Sequence, residues 1–305
     1  PKEITLPRKK PVTNDLTDKE KLDIVHSKDV AKKMKRRTVS KWVALLLLIA
    51  LFVTGSVWGV LSLVDYNSMK VVIDKDSTGI ALSEDKAFTR PATNITVKGP
   101  SRMKDITYTD IDWEREVLNK EGSHPSEKGY IAYTVFLKNI ADYKSLKYVT
   151  RLTIPKHDKG MQKAIRIMVM TTRYDAEGNE LAPDIKIYAQ KKEDGTPENV
   201  AYDSDQLDFQ RPIPLDKLNL GSAVKLQDNT TTPFVEKRED YTLDENFYVD
   251  LIMGQNLNGG EIVKYTVVMW FEGSDAQCVD NILGGYCVVR LEFGVEEYGD
   301  AKPIG

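Results

Sequence analysis

"EIVKYTVVMWFEG", residues 261 to 273, and "YCVVRLEFG", residues 286 to 294, decide the fold class. In the first, Val263, Tyr265, Val267, Met269 and Phe271 fall on one face; in the second, Cys287, Val289, Leu291 and Phe293 do, with Arg290 and Glu292 opposite. Apolar residues at every second position mark a strand with one face buried. The pattern recurs upstream in "YIAYTVFLK", residues 130 to 138, through Ile131, Tyr133, Val135 and Leu137. It recurs again in "KAIRIMVMTTRY", residues 163 to 174, through Ile165, Ile167 and Val169. Weaker strands are expected over 70–74, 94–98, 146–154, 184–189 and 246–252. Turn signals at Glu177-Gly178-Asn179, Asp194-Gly195 and Asn258-Gly259-Gly260 separate several of them. So many strands with almost no amphipathic helix predict a mainly β protein built as an antiparallel β-sandwich. Residues 112–129 and 191–244 read as long irregular excursions from it.

The strand pattern stops short of the N-terminus, where the chain changes character. Trp42 to Val64 is 23 residues without a formal charge, with four consecutive leucines at 45 to 48. As a helix it reaches about 34 Å, enough to cross a bilayer. A soluble helix of that length carries a polar stripe, and this one has only Thr54, Ser56 and Ser62. A cleavable signal has a shorter apolar run of about 7–15 residues and a small-residue exit site; here the leader and the run are both too long. The expectation is a single transmembrane helix that is not cut. Residues 1–41 carry 13 Lys/Arg against 6 Asp/Glu, while residues 65–305 carry 30 against 40. Lys32, Lys33, Lys35, Arg36, Arg37 and Lys41 therefore place the N-terminus in the cytoplasm and residues 65–305 outside. Gly55 and Gly59 have the small-residue spacing that lets two such helices approach closely.

Residues 1–16 hold three prolines among charges and read as disordered. From Thr17 a helix is expected, capped by Thr17 and Glu20 and lying along anionic lipid. Thr38 and Ser40, beside Arg36 and Arg37, are candidate phosphorylation sites.

Enzymatic constellations are missing from the sequence. There is no H-E-x-x-H, no G-x-S-x-G, no Cys–His arrangement and no glycine-rich phosphate loop. His124 and His157 lie in loop-like sequence beside charged residues and read as solvated. The acidic stretch "DYTLDENFYVD", residues 240 to 250, lacks the glycine-bearing spacing of a calcium loop. No cofactor or metal is expected, and the chain is expected not to be an enzyme. The sequons at Asn94 and Asn229 matter only in a glycosylating host. Cys278 and Cys287 are the only cysteines, and outside the cell a bridge closing this ten-residue loop adds about 2.7 kcal/mol. Against it, Cys287 lies on an apolar face, where a thiol is a small hydrophobe; the bridge is the favoured expectation.

The last strands carry one family resemblance. "YTVVMWFEGSDAQCVDNILGGYCVVRLEF", residues 265 to 293, resembles the closing segment of the TasA and camelysin-like surface proteins of Gram-positive bacteria. There, a strand ends in Trp-x-Glu-Gly-x-Asp, a short Cys/Asp-containing turn follows, and a glycine precedes the final strand. Trp270, Glu272, Gly273, Asp275, Cys278 and Asp280 match that pattern. The resemblance implies a jelly-roll-like sandwich at the cell surface or in a biofilm matrix. Those proteins are released by a signal peptidase and their new N-termini can enter a neighbour's sheet to build fibres, whereas this chain is expected to keep a cytoplasmic tail and an uncut anchor, so the resemblance does not carry fibre formation by strand donation over to it. Physically, Trp270 is placed to pack over the edge of the sandwich, Gly273 to allow a sharp turn, and Asp275 to cap a short turn through Ile282. The motif reads first as a device that closes the fold.

The expected function is that of a single-pass surface protein whose sandwich binds or assembles with other extracellular components. Its expected partners are the lipid bilayer and other extracellular or membrane proteins, self-association included, with no nucleic acid and no small-molecule substrate. A scaffold subunit of a secretion or conjugation machine is the alternative, and a membrane-tethered wall-polymer enzyme the third reading.

Overall fold

The computed structural model describes residues 26–30, 32–33, 43 and 45–50. From 67 to 301 it describes all but 101–104, 117–120, 125–128, 142–143, 176, 204–210, 220–223, 236–246 and 283. The chain divides into two compact units, Pro1–Val64 and Asp65–Gly305.

In the first unit, residues 26–30, 32–33, 43 and 45–50 are helical, and Leu45 to Leu48 and Ile49 are exposed. Among the described residues no helix is long and apolar enough to cross a membrane. Residues 51–66 lie outside the described residues, as do Lys35, Arg36, Arg37, Thr38, Ser40, Lys41, Gly55 and Gly59. Lys32 and Lys33 are helical and exposed.

The second unit holds 13 strands among its described residues: β1 (Ser68–Ile73), β2 (Ile80–Ser83), β3 (Asn94–Lys98), β4 (Asp105–Ile106), β5 (Gly122–His124), β6 (Ile131–Asn139), β7 (Lys144–His157), β8 (Ile165–Arg173), β9 (Asp184–Ala189), β10 (Thr232–Pro233), β11 (Phe247–Leu257), β12 (Ile262–Glu272) and β13 (Cys287–Ala301). They form two sheets. One has five strands in the order β11-β7-β13-β1-β3. The other runs β10-β9-β8-β12-β6-β2, with β4 added to β12 and β5 to β6. All nine strands expected from periodicity are present. The pairing is not wholly antiparallel, however, because β1 runs parallel to β13, β10 to β9 and β4 to β12.

The alternating residues do what their period requires. Met69, Val71, Val289, Leu291 and Phe293 of the smaller sheet meet Tyr133, Val135, Ile165, Ile167, Tyr265 and Val267 of the larger in one core. Tyr148 and Tyr265 share a hydrogen bond there at 2.7 Å, so two phenol groups are buried without an orphaned hydroxyl.

Crossing segments stitch both sides of the sandwich. On one side Ala92 exchanges backbone bonds with Leu82 of the larger sheet, and the next residue accepts from Ile73 of the smaller. On the other, Phe234 N donates to Ala189 O and Val235 N to Val249 O. The Tyr188 hydroxyl donates to Asp250 beside this second crossing.

The larger sheet departs from the half-buried reading. Val268, Trp270, Met168, Met170, Ala132 and Ile187 point away from the shared core and are buried all the same. They sit under Ile106, Tyr108, Ile111 and Trp113 on one side and Val200, Leu218 and Val224 on the other. The chain at 106–111 and described parts of the two excursions, with the short helices Trp113–Glu116 and Leu215–Asn219 among them, thus supply the cover of a second apolar layer.

Candidate functional site: a buried ionic cluster and the cleft beside it

At the end of β12 the chain must turn, and the residues that turn it converge on buried charges. Asp275 N donates to Glu272 O at 3.0 Å, which makes Gly273 the second residue of a tight turn, and Gly273 N donates to Ile106 O at 2.8 Å. The Glu272 side chain points inward and is fully buried. One carboxylate oxygen accepts from Trp270 Nε1 at 2.8 Å and from Tyr108 N at 3.0 Å. The other accepts from the Ser274 hydroxyl and, at 3.4 Å, from Ser274 N. Burial pushes the Glu272 carboxyl above its ordinary value of 4.5, and the donors from Ser274, Trp270 and Tyr108 and the charge of Arg166 oppose that push.

Trp270 is not over the edge of the sandwich as expected. It lies on the outer face of the larger sheet, 5.9 Å from Trp113 and 6.1 Å from Tyr108 between ring centroids. The reason is register: Trp270 follows Val268 on the face opposite Met269 and Phe271, and that face is covered.

Arg166 completes the cluster. It is fully buried, and its Nη2 donates to Asp275 Oδ2 at 2.8 Å. Its Nε and Nη2 both reach Asn199 O, at 3.1 and 3.0 Å. Glu198 lies 3.8 Å from the same guanidinium and accepts a hydrogen bond from Tyr202, while Tyr202 N donates to Ser274 Oγ at 2.9 Å. Asp275 thus ties β12 to Arg166 on β8. Asp275 caps its own turn, through Gln277 N at 2.8 Å and Cys278 N at 2.9 Å; it does not cap the 3-10 turn Asp280–Ile282. Asp280 is exposed at the start of that turn and takes no part in the cluster.

The sequence reading missed Arg166, Tyr108, Glu198 and Tyr202. A signal for Arg166 was present: it shares a strand face with Met168 and Met170, an apolar company that a solvent-facing arginine does not keep. For the other three, the excursions carry no periodicity to read.

Other expected sites settle as follows. Cys278 and Cys287 are thiols rather than a bridged pair; Cys287 is buried in the shared core with Cys278 packed against it, and burial pushes the Cys287 thiol well above its ordinary value. His124 is buried on β5 rather than solvated, and His157 ends β7 half-buried. Asn94 is exposed on β3. Asn229 is not available to a glycan: its Nδ2 donates to Ala201 O and Ile213 O, and its Oδ1 accepts from Val200 N and Ala201 N. The acidic stretch 240–250 lies outside the described residues up to 246; within it, Asp250 accepts from Tyr188. Among the described residues no three His, Cys, Asp or Glu side chains gather into a metal-holding group.

Beside the cluster lies a cleft of about 370 Å³. β10 pairs with β9 only at Tyr188 and Ala189, so among the described residues no strand covers the edge of β9 from Asp184 to Ile187. The chain from Lys225 to Thr232 forms the opposite wall. Thr231 in that wall donates from both N and Oγ1 to Glu198 O, each at 2.9 Å, so the cleft is braced by the residues that surround Arg166. Ala189 O faces β10; by alternation, the backbone groups of Ile185 and Ile187 face the cleft.

Comparison with protein-family models, with curated proteins and with solved structures gives no match. The residues themselves carry the functional reading.

Proposed function

We propose that the chain is a single-pass membrane protein, anchored by Trp42–Val64 with its N-terminus in the cytoplasm, whose β-sandwich binds or assembles with other proteins outside the cell. The observation that carries this reading is the uncharged 23-residue segment between a strongly basic and a strongly acidic portion. The exposed leucines of 45–48 support it, since lipid is the solvent in which such side chains are at rest. The resemblance of residues 265–293 to TasA and camelysin-like proteins supports a surface or matrix role and a jelly-roll-like sandwich.

Binding through surface rather than chemistry is supported by how the ionic groups are used. Arg166, Asp275, Glu198 and Glu272 are buried and spend their hydrogen bonds on one another and on the cover of the larger sheet. The uncovered edge of β9 offers backbone donors and acceptors to an extended partner segment.

Two measurements test the proposal. Protease added to intact cells is expected to digest the portion after Val64 and leave the N-terminal tail. Protection of the C-terminal portion, or a mature chain beginning after Val60, overturns the anchor. A pull-down from intact cells is expected to return extracellular or surface proteins; a stoichiometric complex with other membrane proteins transfers the reading to a scaffold subunit of a membrane machine.

A further inference from the structure

The connection from one sheet to the other presents a reactive pair of residues, whatever anchors the chain. β11 of the smaller sheet passes into β12 of the larger through Asn258, Gly259, Gly260 and Glu261. Glu261 N donates to Asn258 O at 3.0 Å and Gly260 has a φ of 74°, so these residues form a tight turn. Asn258, Gly259 and Gly260 are all exposed. Asn258 is also the only asparagine of the sequence that a glycine follows.

The hydrogen bonds of the turn are unevenly shared. Gly260 N donates to Asn139 O at 3.0 Å, and Glu261 O accepts from Asn139 N at 3.1 Å. Among the described residues nothing accepts from the Gly259 N–H. That nitrogen therefore stands in water next to the Asn258 side-chain amide. The amide is restrained from its other side. Glu261 Oε2 accepts from Asn258 Nδ2 at 3.1 Å and from Asn258 N at 2.8 Å, while Arg173 Nη1 holds Glu261 Oε1 at 2.6 Å.

We propose that Asn258 is a site of spontaneous deamidation and that Glu261 is its brake. Gly259 N gives its proton to solvent and attacks Asn258 Cγ; the N–Cγ bond forms, the Cγ–Nδ2 bond breaks, and ammonia leaves with a proton from water. Water then opens the succinimide at either carbonyl, leaving aspartate or isoaspartate, with no change of oxidation state. Asparagine is among the thermolabile residues, and glycine has no Cβ to hinder the backbone rotation that closes the ring. Glu261 opposes closure, since the Asn258 amide must first turn out of its bond to Oε2. The product carboxylate faces Glu261 with like charge, and isoaspartate also lengthens the main chain by a methylene. Both disturb a junction that buried Asn139 fixes through the bonds above and through Nδ2 to Leu257 O at 3.0 Å.

Two asparagines of the same chain serve as controls. Asn67 precedes the small Ser68 but is 1% exposed, with Oδ1 accepting from Cys287 N at 3.0 Å. Asn94 is exposed on β3 but precedes the branched Ile95.

The test holds the full chain in mild detergent, warm and at mildly alkaline pH, and follows each asparagine by peptide mass spectrometry, with an isoaspartate-specific methyltransferase marking the rearranged product. Asn258 is expected to convert severalfold faster than Asn67 and Asn94, and Gly259→Ala to suppress its conversion. Glu261→Ala is expected to hasten it severalfold, and so is urea acting on the unaltered chain, which tests the brake without a substitution. Asn258→Asp should lower the urea midpoint. Conversion in urea but none in the folded chain overturns the site, as does conversion of Asn67 or Asn94 at the rate of Asn258. Equal rates in the folded chain, in Glu261→Ala and in urea overturn the brake, and an unchanged midpoint in Asn258→Asp overturns the effect on the junction.

Discussion

The two sheets share one core and differ on their other faces. On the smaller sheet, Arg151 is mostly buried but not sealed: its side chain is 12% exposed, with Glu292 at 2.7 Å and Asp74 at 3.2 Å, themselves 16% and 29% exposed. On the larger sheet, Arg166 has no exposure at all and meets Asp275 at 2.8 Å. Each arginine sits on a strand among alternating apolar residues, and each binds carboxylates. What separates them is the cover. Ile106, Tyr108, Ile111 and Trp113, with Val200, Leu218 and Val224, close over the outer face of the larger sheet. An ion pair in water is worth little, whereas one whose solvent has been removed becomes a condition of folding. The comparison teaches that the charged residues of the closing motif serve to hold the cover down.

The largest expected effect comes from breaking the buried pair. Arg166→Met leaves Asp275 and Glu198 without their cation and is expected to cost about 3–5 kcal/mol in urea unfolding. Arg151→Met is expected to cost less, because the carboxylates it leaves, Glu292 and Asp74, keep part of their surface in water; equal losses would abolish the distinction between the faces. Trp270→Ala removes the centre of the covered layer and is expected to cost about 3–5 kcal/mol. It should also speed proteolysis within 200–226, which a loosened cover exposes first.

A smaller effect is carried by pH. The folded chain holds the Glu272 proton more tightly than the unfolded chain, because burial raises that carboxyl above 4.5. Its share of stability is therefore complete below 4.5 and is lost as the pH rises through the folded value, at a rate of at most about 1.4 kcal/mol per pH unit. Acidification from pH 7 toward 5 should raise the urea midpoint less in Glu272→Gln than in the unaltered chain, and an unchanged difference would show the carboxyl to be ionised throughout. The smallest effect is chemical. In the native chain an alkylating reagent should leave Cys287 unmodified, both thiols should react after unfolding, and a non-reduced mass short by two hydrogens would instead establish the bridge.

How much of this was legible follows from the physics of each element. Nine strands announced themselves because each is long enough to show a period of two against a buried face. β2, β4, β5 and β10 did not, since two to four residues carry no period. The motif around Trp270 and Glu272 was legible as a fold-closing device, but its partners were not. Tyr108, Glu198 and Tyr202 lie in irregular chain whose apolar residues, such as Ile111, Val200 and Leu218, are spaced by no regular geometry. Only assembly brings them over the sheet. The second apolar face of β8 was written in Met168 and Met170, and Arg166 between Ile165 and Ile167 disguised it.

The parallel pairing of β1 with β13 has a mechanical consequence. Six residue pairs, from Ser68 with Val288 to Ile73 with Phe293, join β1 to β13. Tension drawn between the start of β1 and the far end of β13 pulls the two strands past each other lengthwise. All the bonds of that ladder then bear the load at once and none can peel ahead of the rest, so the sandwich resists tearing when it is pulled apart between its first strand and β13.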